Sequence, residues 1–419
     1  MVDNSAEVET LPVLIIGAGI SGLLLAQQFR NSNVPFQVFE RDSDFSTRGF
    51  GWGLTLHWSL PALRELLSGE LLAQLPDTYV DRAAVERGET STFPFFDLST
   101  GELKGQSPRA PENQRIRVTR EKLRRLLATG IEVKWGKSFE AFEEDEESVN
   151  AIFEDGTTVR GRMIFGCDGS HSRVRRALLP SGFQNHRIPV RMFGFTMLVT
   201  AEQSKPIREL DPFFLQGTAS ASDVFMYISL LQAPQTPEKS HEGYLYQVCI
   251  SWDTAKGLPN SIAAAAVKST PEERPGIIRK LAEDWAEPFR SFVRLISNTV
   301  DVKQLDLDDF PPGPGIHPIT RVLLIGDAFH AMAMYRGEGA NHVIVDVLEL
   351  KEKLLPQIAD PHSGNLHEVL PSFLDGVIAR TLPAVLASRQ ACLDAHDYHG
   401  LTPKSPLLTK RQMQLDFKG

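Results

Sequence analysis

Two glycine-bearing junctions carry the residues whose types and spacing could do chemistry. The first is Gly17-x-Gly19-x-x-Gly22, placed between the apolar run "PVLII" and a helix-spaced repeat of leucine and alanine. Gly17 permits a tight turn, Gly19 lets a pyrophosphate approach the backbone, and Gly22 lets helix and strand pack closely. Free N–H groups at the helix start supply positive potential for phosphates. Glu40 ends the next strand 18 residues after Gly22, with Arg41 beside it. An acid at that place accepts hydrogen bonds from an adenosine ribose. The spacing predicts a bound dinucleotide.

The second junction is "GDAFHAMAMYRGEGANH" at 326–342, reached through the apolar "VLLI". A strand that only filled a core would stop at an ordinary polar turn. Here Asp327, His330, Gly337 and Gly339 crowd into one strand-to-helix junction, so something bulky and polar lies against that backbone. Asp168, in "MIFGCDGSHSRVRRAL", also ends an apolar strand before a helix start, where the ordinary role of an aspartate is a cap. His57, in "GFGWGLTLHW" at 49–58, is a lone histidine, more often structural than a substrate contact.

The elements that must position these residues are readable in outline. "PVLIIGAGISGLLLAQQF" and "PFQVFERD" make strand, helix and strand, the start of a βαβ unit. "AIFEDGTTVRGRMIFGCDG" is a hairpin around Asp155-Gly156 feeding another strand, and "EEDEES" before it is a solvated turn. Between 185 and 300, "VRMFGFTMLVT", "DVFMYISLL" and "GYLYQVCISW" alternate as antiparallel strands do, and a helix follows. The expected architecture is α/β. A Rossmann-like nucleotide-binding domain (1–184 and 301–360) is interrupted by a mostly antiparallel substrate domain (185–300) and closed by C-terminal helices (361–419).

A net charge of -9 argues against nucleic acid as the main partner, since phosphate binding needs a basic face. Hydrophobic content of 42% with 23% charged residues is that of a soluble globular protein. Cys167, Cys249 and Cys392 lie too far apart in sequence for a disulfide framework or a zinc motif. The acidic opening "MVDNSAEVET" is unlike a signal peptide, and no apolar run reaches membrane-spanning length. A cytoplasmic enzyme is expected.

Three segments together resemble one family. "RVLLIGDAFHAMAMYRGEGANHVIVDVLEL" resembles the second flavin signature of the group A flavoprotein monooxygenases, the p-hydroxybenzoate hydroxylase type. "MIFGCDGSHSRVRRAL" resembles the family's Asp-Gly motif between flavin and nicotinamide sites. "RIRVTREKLRRLL" resembles its Arg-x-x-Leu helix start, with Arg120 at the arginine position. The segments occur in family order and, with the N-terminal fingerprint, tie together residues 11 to about 350.

The resemblance implies FAD, with Asp327 accepting from the ribityl hydroxyls and Gly339, Ala340 and Asn341 opening a helix toward the isoalloxazine. It assigns Gly53 and Thr55 to the segment that passes the flavin. It further implies reduction by NADPH or NADH, addition of oxygen at the flavin C4a position, and transfer of a hydroxyl from the hydroperoxide to an aromatic or polyketide-like substrate. Arg191 and Tyr227, polar residues on the second-domain strands, are the expected pair for activating a phenol, because a nearby arginine lowers a phenol's pKa. The chain departs from the family at Ala333 and Met334, where relatives carry prolines. Two other readings stay open, a flavoprotein oxidase or cyclase that inserts no oxygen and a non-catalytic redox sensor.

Overall fold

The computed structural model describes residues 11–49, 51–234, 243–258, 269–313, 321–360 and 366–413, with Ile262 and Ala266. The chain opens with β1 (Val13–Ile16), α1 (Ile20–Asn31) and β2 (Phe36–Phe39). β3 (Gly53–Leu56), β4 (Phe95–Asp97), β5 (Leu103–Gly105) and β6 (Ile116–Thr119) follow, and β6 runs directly into α2 (Arg120–Leu127). Next come β7 (Val133–Lys134), a meander of β8 (Phe139–Glu144), β9 (Val149–Phe153) and β10 (Thr158–Gly161), then β11 (Met163–Gly166) and α3 (Arg173–Leu178). The long strands are β12 (His186–Val199), β13 (Phe214–Thr218), β14 (Phe225–Gln232) and β15 (Tyr244–Asp253). β16 (Lys303–Asp309), β17 (Val322–Leu324), α4 (Asp327–His330), α5 (Gly339–Lys353) and α6 (Leu366–Asp394) follow, and shorter helices, among them Ala201–Leu210, Arg274–Leu281 and Phe289–Arg294, lie between the named elements.

The first layer is a five-stranded parallel sheet in the order β17-β11-β1-β2-β7. β1 sits at its centre, which is why "VLII" is apolar at every position and buried throughout. The carboxyl ends of β1, β11 and β17 lie side by side. Their registers pair Ile16 with Gly166 and Gly166 with Leu324. The three motifs read from the sequence therefore emerge at one edge of one sheet, where ligands of open α/β sheets bind.

The second layer is a seven-stranded sheet, β16-β12-β15-β14-β13-β4-β5. It is antiparallel except where β4 joins β13 in parallel. Three of its strands lie outside 185–300, two from residues 95–105 and one from 303–309. One face of this sheet carries Phe193, Met226, Ile228, Val248, Ile250 and Trp252, packed on helices that contribute Ile207, Ile278 and Phe292. The other face carries Gln216, Tyr227, Ser229, Gln247 and Ser251, a polar wall turned toward the first layer.

α6 is long and apolar enough to cross a membrane by length and composition. Here it is a core helix. Phe373, Val377, Ala384 and Ala391 are buried along it, Arg380 pairs with Asp346 of α5 at 2.6 Å, and Arg389 reaches Asp309 of β16 at 2.8 Å.

Candidate active site

The β1–α1 turn is shaped by two different demands on its glycines. Gly17 lies at φ +109, and a Cβ there would strike the Cys167 carbonyl. A Cβ on Gly22 would strike the carbonyl of Gly17. Both glycines are required by protein packing. Gly19 is different, since a Cβ there would meet nothing closer than the Cys167 oxygen at 4.0 Å. Its smallness leaves room that no protein atom fills. Glu40 is buried, accepts the N–H of Ala18 at 2.9 Å and of Asp42 at 3.2 Å, and lies 3.5 Å from Arg124. Arg124 stands four residues after Arg120 on α2, so both reach the same side of the helix. It also donates to the Ala18 carbonyl at 2.6 Å. The sequence signal for Arg124 was that spacing.

At the second junction Gly326 takes φ 65, ψ -139, a conformation that favours glycine. Its N–H donates to Asp346 at 3.1 Å. Asp346 also receives His330 Nε2 at 2.6 Å and Arg380 at 2.6 Å, so His330 belongs to a buried structural network. Asp327 projects into a cavity instead, and among the described residues no hydrogen bond reaches its carboxylate. Its surroundings push its carboxyl above the usual range, chiefly through burial, with His330 and Arg120 pulling the other way. The first N–H groups of α5, those of Gly339 and Ala340, face the same space without a side-chain cap. A Cβ on Gly339 would make only ordinary contacts.

Asn341, the third residue of α5, is buried behind this surface. Its side chain donates to the Thr55 carbonyl at 3.0 Å and accepts from His57 N–H at 3.1 Å and Ser59 Oγ at 2.8 Å. It fastens the β3 segment to the helix. His57 is held there by its backbone, and burial with three nearby arginines lowers its imidazole to about 3. Asp168 accepts from Ser172 Oγ at 2.5 Å and from the N–H groups of Arg173 and Val174 at 2.7 and 3.2 Å. Its carboxylate caps the entry to α3 and also lines the cavity.

The cavity has a volume of about 360 Å³ and joins the two layers. Gly17, Gly19, Glu40, Arg41, Arg120, Asp168, Asp327, Gly339 and Ala340 line it together with Phe214, Gln216, Phe225, Tyr227 and Gln247, and Gly53 and Thr55 join the two groups, the Gly53 N–H donating to Gln247 at 3.3 Å. Gly22 and Asn341 support it from behind.

The expected Arg191–Tyr227 pair is not formed. Arg191 stands opposite Trp252 on β15, whereas Tyr227 stands opposite Cys249. Those positions differ by an odd number of residues, so the two side chains leave opposite faces of the sheet. Arg191 instead bonds Asp306 at 2.8 Å. The arginine that meets Tyr227 is Arg117 on β6. It donates to the Tyr227 hydroxyl at 2.7 Å, to Thr55 Oγ1 at 2.6 Å and to Ser229 Oγ, and it passes so close to Gly53 that a Cβ there would collide with it. Arg117 lay inside the segment "RIRVTREKLRRLL", but nothing local marks it as a partner of residue 227.

The loop that lacks the family's prolines keeps a proline-compatible shape. Ala333 lies at φ -61, ψ 149, the conformation that precedes prolines, and Met334 opens a 3-10 turn. Met334→Pro is therefore expected to fold and to keep its cofactor. A loss of more than about 1 kcal/mol in chemical denaturation would show that the turn needs the Met334 N–H or thioether.

The residues present fit FAD. A cavity-facing carboxylate with no donor among the described residues suits sugar or ribityl hydroxyls, and Gly19 and Gly339 leave backbone open where a ligand would lie. Residues 10–241 match the family model described as an FAD binding domain. The chain is 41% identical over 95% of its length to 95% of an Arthroderma benhamiae protein described as a probable FAD-dependent monooxygenase. It is 36% identical over 84% of its length to 88% of the FAD-dependent monooxygenase dbaB of Emericella nidulans. In fold it is similar to 2,6-dihydroxypyridine-3-hydroxylase from Arthrobacter nicotinovorans, with a TM-score of 0.74 at 19% identity, covering 97% of this chain and 98% of that one. With a nucleotide turn, an unpaired cavity aspartate and these relatives in agreement, the chain belongs to the FAD-dependent monooxygenases, a family of oxidoreductases.

Proposed function

We propose that the chain is an NAD(P)H-dependent monooxygenase that hydroxylates a phenolic aromatic or polyketide-derived small molecule in fungal-type secondary metabolism. The observation that carries this reading is the Arg117–Tyr227 hydrogen bond of 2.7 Å in the cavity that Asp327 and α5 also line. FAD, when bound, supplies electron transfer from the nicotinamide and the activation of oxygen. Asp327 and the N–H groups of Gly339 and Ala340 would hold it. Arg117 and Tyr227 would hold the substrate's phenolic oxygen, and the positive guanidinium favours its ionised form, which makes the ring more electron-rich. Phe214, Phe225 and Met334 exclude water around it. The name of the Arthrobacter structure, a hydroxylase of a dihydroxylated ring, agrees with such a substrate.

Arg117→Ala is expected to lower turnover by about 100-fold or more, and Tyr227→Phe by about 10-fold, with FAD occupancy intact. Substrates are to be found by screening phenols for stimulated NADPH oxidation. Labelled oxygen gas should then appear in the product. Product free of the label would replace this reading with oxidase or cyclase chemistry, and flavin loss in the variants would make the pair structural.

A further inference from the structure

The substrate end of the cavity is rich in positive charge. Arg117 on β6 lies over Phe214, 5.1 Å from the ring centre, and Arg115, just before β6 and outside the cavity lining, lies over Phe93 at 4.6 Å. Those rings pack edge to face at 4.5 Å. A third guanidinium arrives from far along the chain. Arg336, in the loop before α5, donates to the Pro406 carbonyl, to Thr409 Oγ1 at 3.1 Å and to the Lys410 carbonyl at 3.2 Å. That clamp lays the C-terminal segment across the cavity and places Arg411 in its lining, 5.2 Å from the Phe93 ring.

Among the described residues carboxylates offset this cluster only in part, Glu338 acting on Arg411 and Asp211 on Arg115. Among the described residues none lies within ion-pair distance of Arg115, Arg117 or Arg411. Glu338 is committed to Arg336 at 2.6 Å and to Trp58 Nε1 at 3.2 Å. Asp211, the acid that Arg115 feels, accepts hydrogen bonds from Ser91, Thr92, Phe213 and Phe214. Among the described residues Arg411 donates to backbone carbonyls alone, at 3.2 to 3.5 Å. Burial, with Arg336 and Arg115 nearby and Glu338 pulling the other way, lowers its guanidinium to about 10. Arg117, itself buried, leaves Nε without a partner. Buried cations left without counter-charge cost stability unless a ligand supplies it. In a chain of net charge -9, such a cluster is a local feature aimed at a ligand.

We propose that Arg411, delivered by the clamped C-terminal segment, is a specificity residue that selects substrates bearing a carboxylate in addition to the phenolic oxygen held by Arg117 and Tyr227. The proposal deepens the function given above and rests on it for the identity of the site. Guanidinium and carboxylate match in a two-pronged, charge-assisted geometry that a neutral ester cannot supply.

The test is equilibrium binding to the FAD-loaded enzyme, followed by perturbation of the flavin spectrum and independent of turnover. The probes are 2,4-dihydroxybenzoate, its methyl ester and resorcinol. Wild type is expected to prefer the acid over the ester by about 10- to 100-fold. Arg411→Gln should erase that ratio while FAD occupancy and ester binding stay unchanged, and Arg411→Lys should keep part of it. A merely structural Arg411 would weaken acid and ester alike and leave the ratio intact, which overturns the proposal. So would equal binding of acid and ester by wild type, or no binding of the acid at millimolar concentration. Carboxylate selectivity in an enzyme that incorporates no labelled oxygen would keep this inference and sink the proposed reaction. Oxygenation of neutral phenols without carboxylate preference would do the reverse.

Discussion

Replacing Asp327 by alanine is expected to give a folded, nearly colourless protein. The aspartate lines the cavity, and among the described residues no donor reaches its carboxylate. Cofactor hydroxyls are its natural partners, and hydrogen bonds to a charged acceptor are the strong kind. Their loss corresponds to about 1.5–3 kcal/mol, or FAD binding weaker by roughly 10- to 150-fold. Flavin absorbance after dialysis checks the loss. Full FAD occupancy in the variant would remove Asp327 from the cofactor site.

Asp346→Ala should be strongly destabilising, by about 3–5 kcal/mol, because it takes the acceptor from buried His330 Nε2 and leaves Arg380 with only Glu349, at 3.3 Å, as a carboxylate partner among the described residues. Asp346 is buried, and its carboxyl is held down to about 2. Burial opposes that shift, and the His330 and Arg380 partners outweigh it. A depressed carboxylate stabilises the fold above its unfolded value of 3.8. The benefit is lost as the pH falls toward about 2, and it amounts to on the order of 2 kcal/mol. Urea denaturation at pH 7 and pH 3 is the measurement. The variant should lose much of wild type's excess stability at pH 7 and less of it at pH 3. A cost under about 1 kcal/mol at neutral pH would mean that water or a rearranged Glu349 replaces the carboxylate.

The nucleotide end of the site was legible because its information is local. Gly17, Gly19 and Gly22 lie within one turn, Glu40 ends the next strand, and Asp327 and Gly339 share one junction. Each motif travels with the strand and helix that position it. The substrate end was not legible because it depends on parity and on distant partners. Arg191 and Tyr227 both sit on strands of the right sheet, yet only the register shows that they face opposite ways. Arg117 meets Tyr227 across 110 residues, and Arg336 meets Thr409 across 73. The second sheet also takes β4, β5 and β16 from outside 185–300, so composition along the chain could not mark its edges.

Two arginines of α6 give the molecule a mechanical character. Arg380 fixes the helix to the nucleotide layer through Asp346 and Glu349, and Arg389 fixes it to the edge strand of the second sheet, so one helix is riveted to both. A clamshell opening between the layers would have to break a rivet. The segment that follows the helix is latched by Arg336, which belongs to the loop beside the cofactor site, so a single side chain ties that loop to the chain's last described stretch.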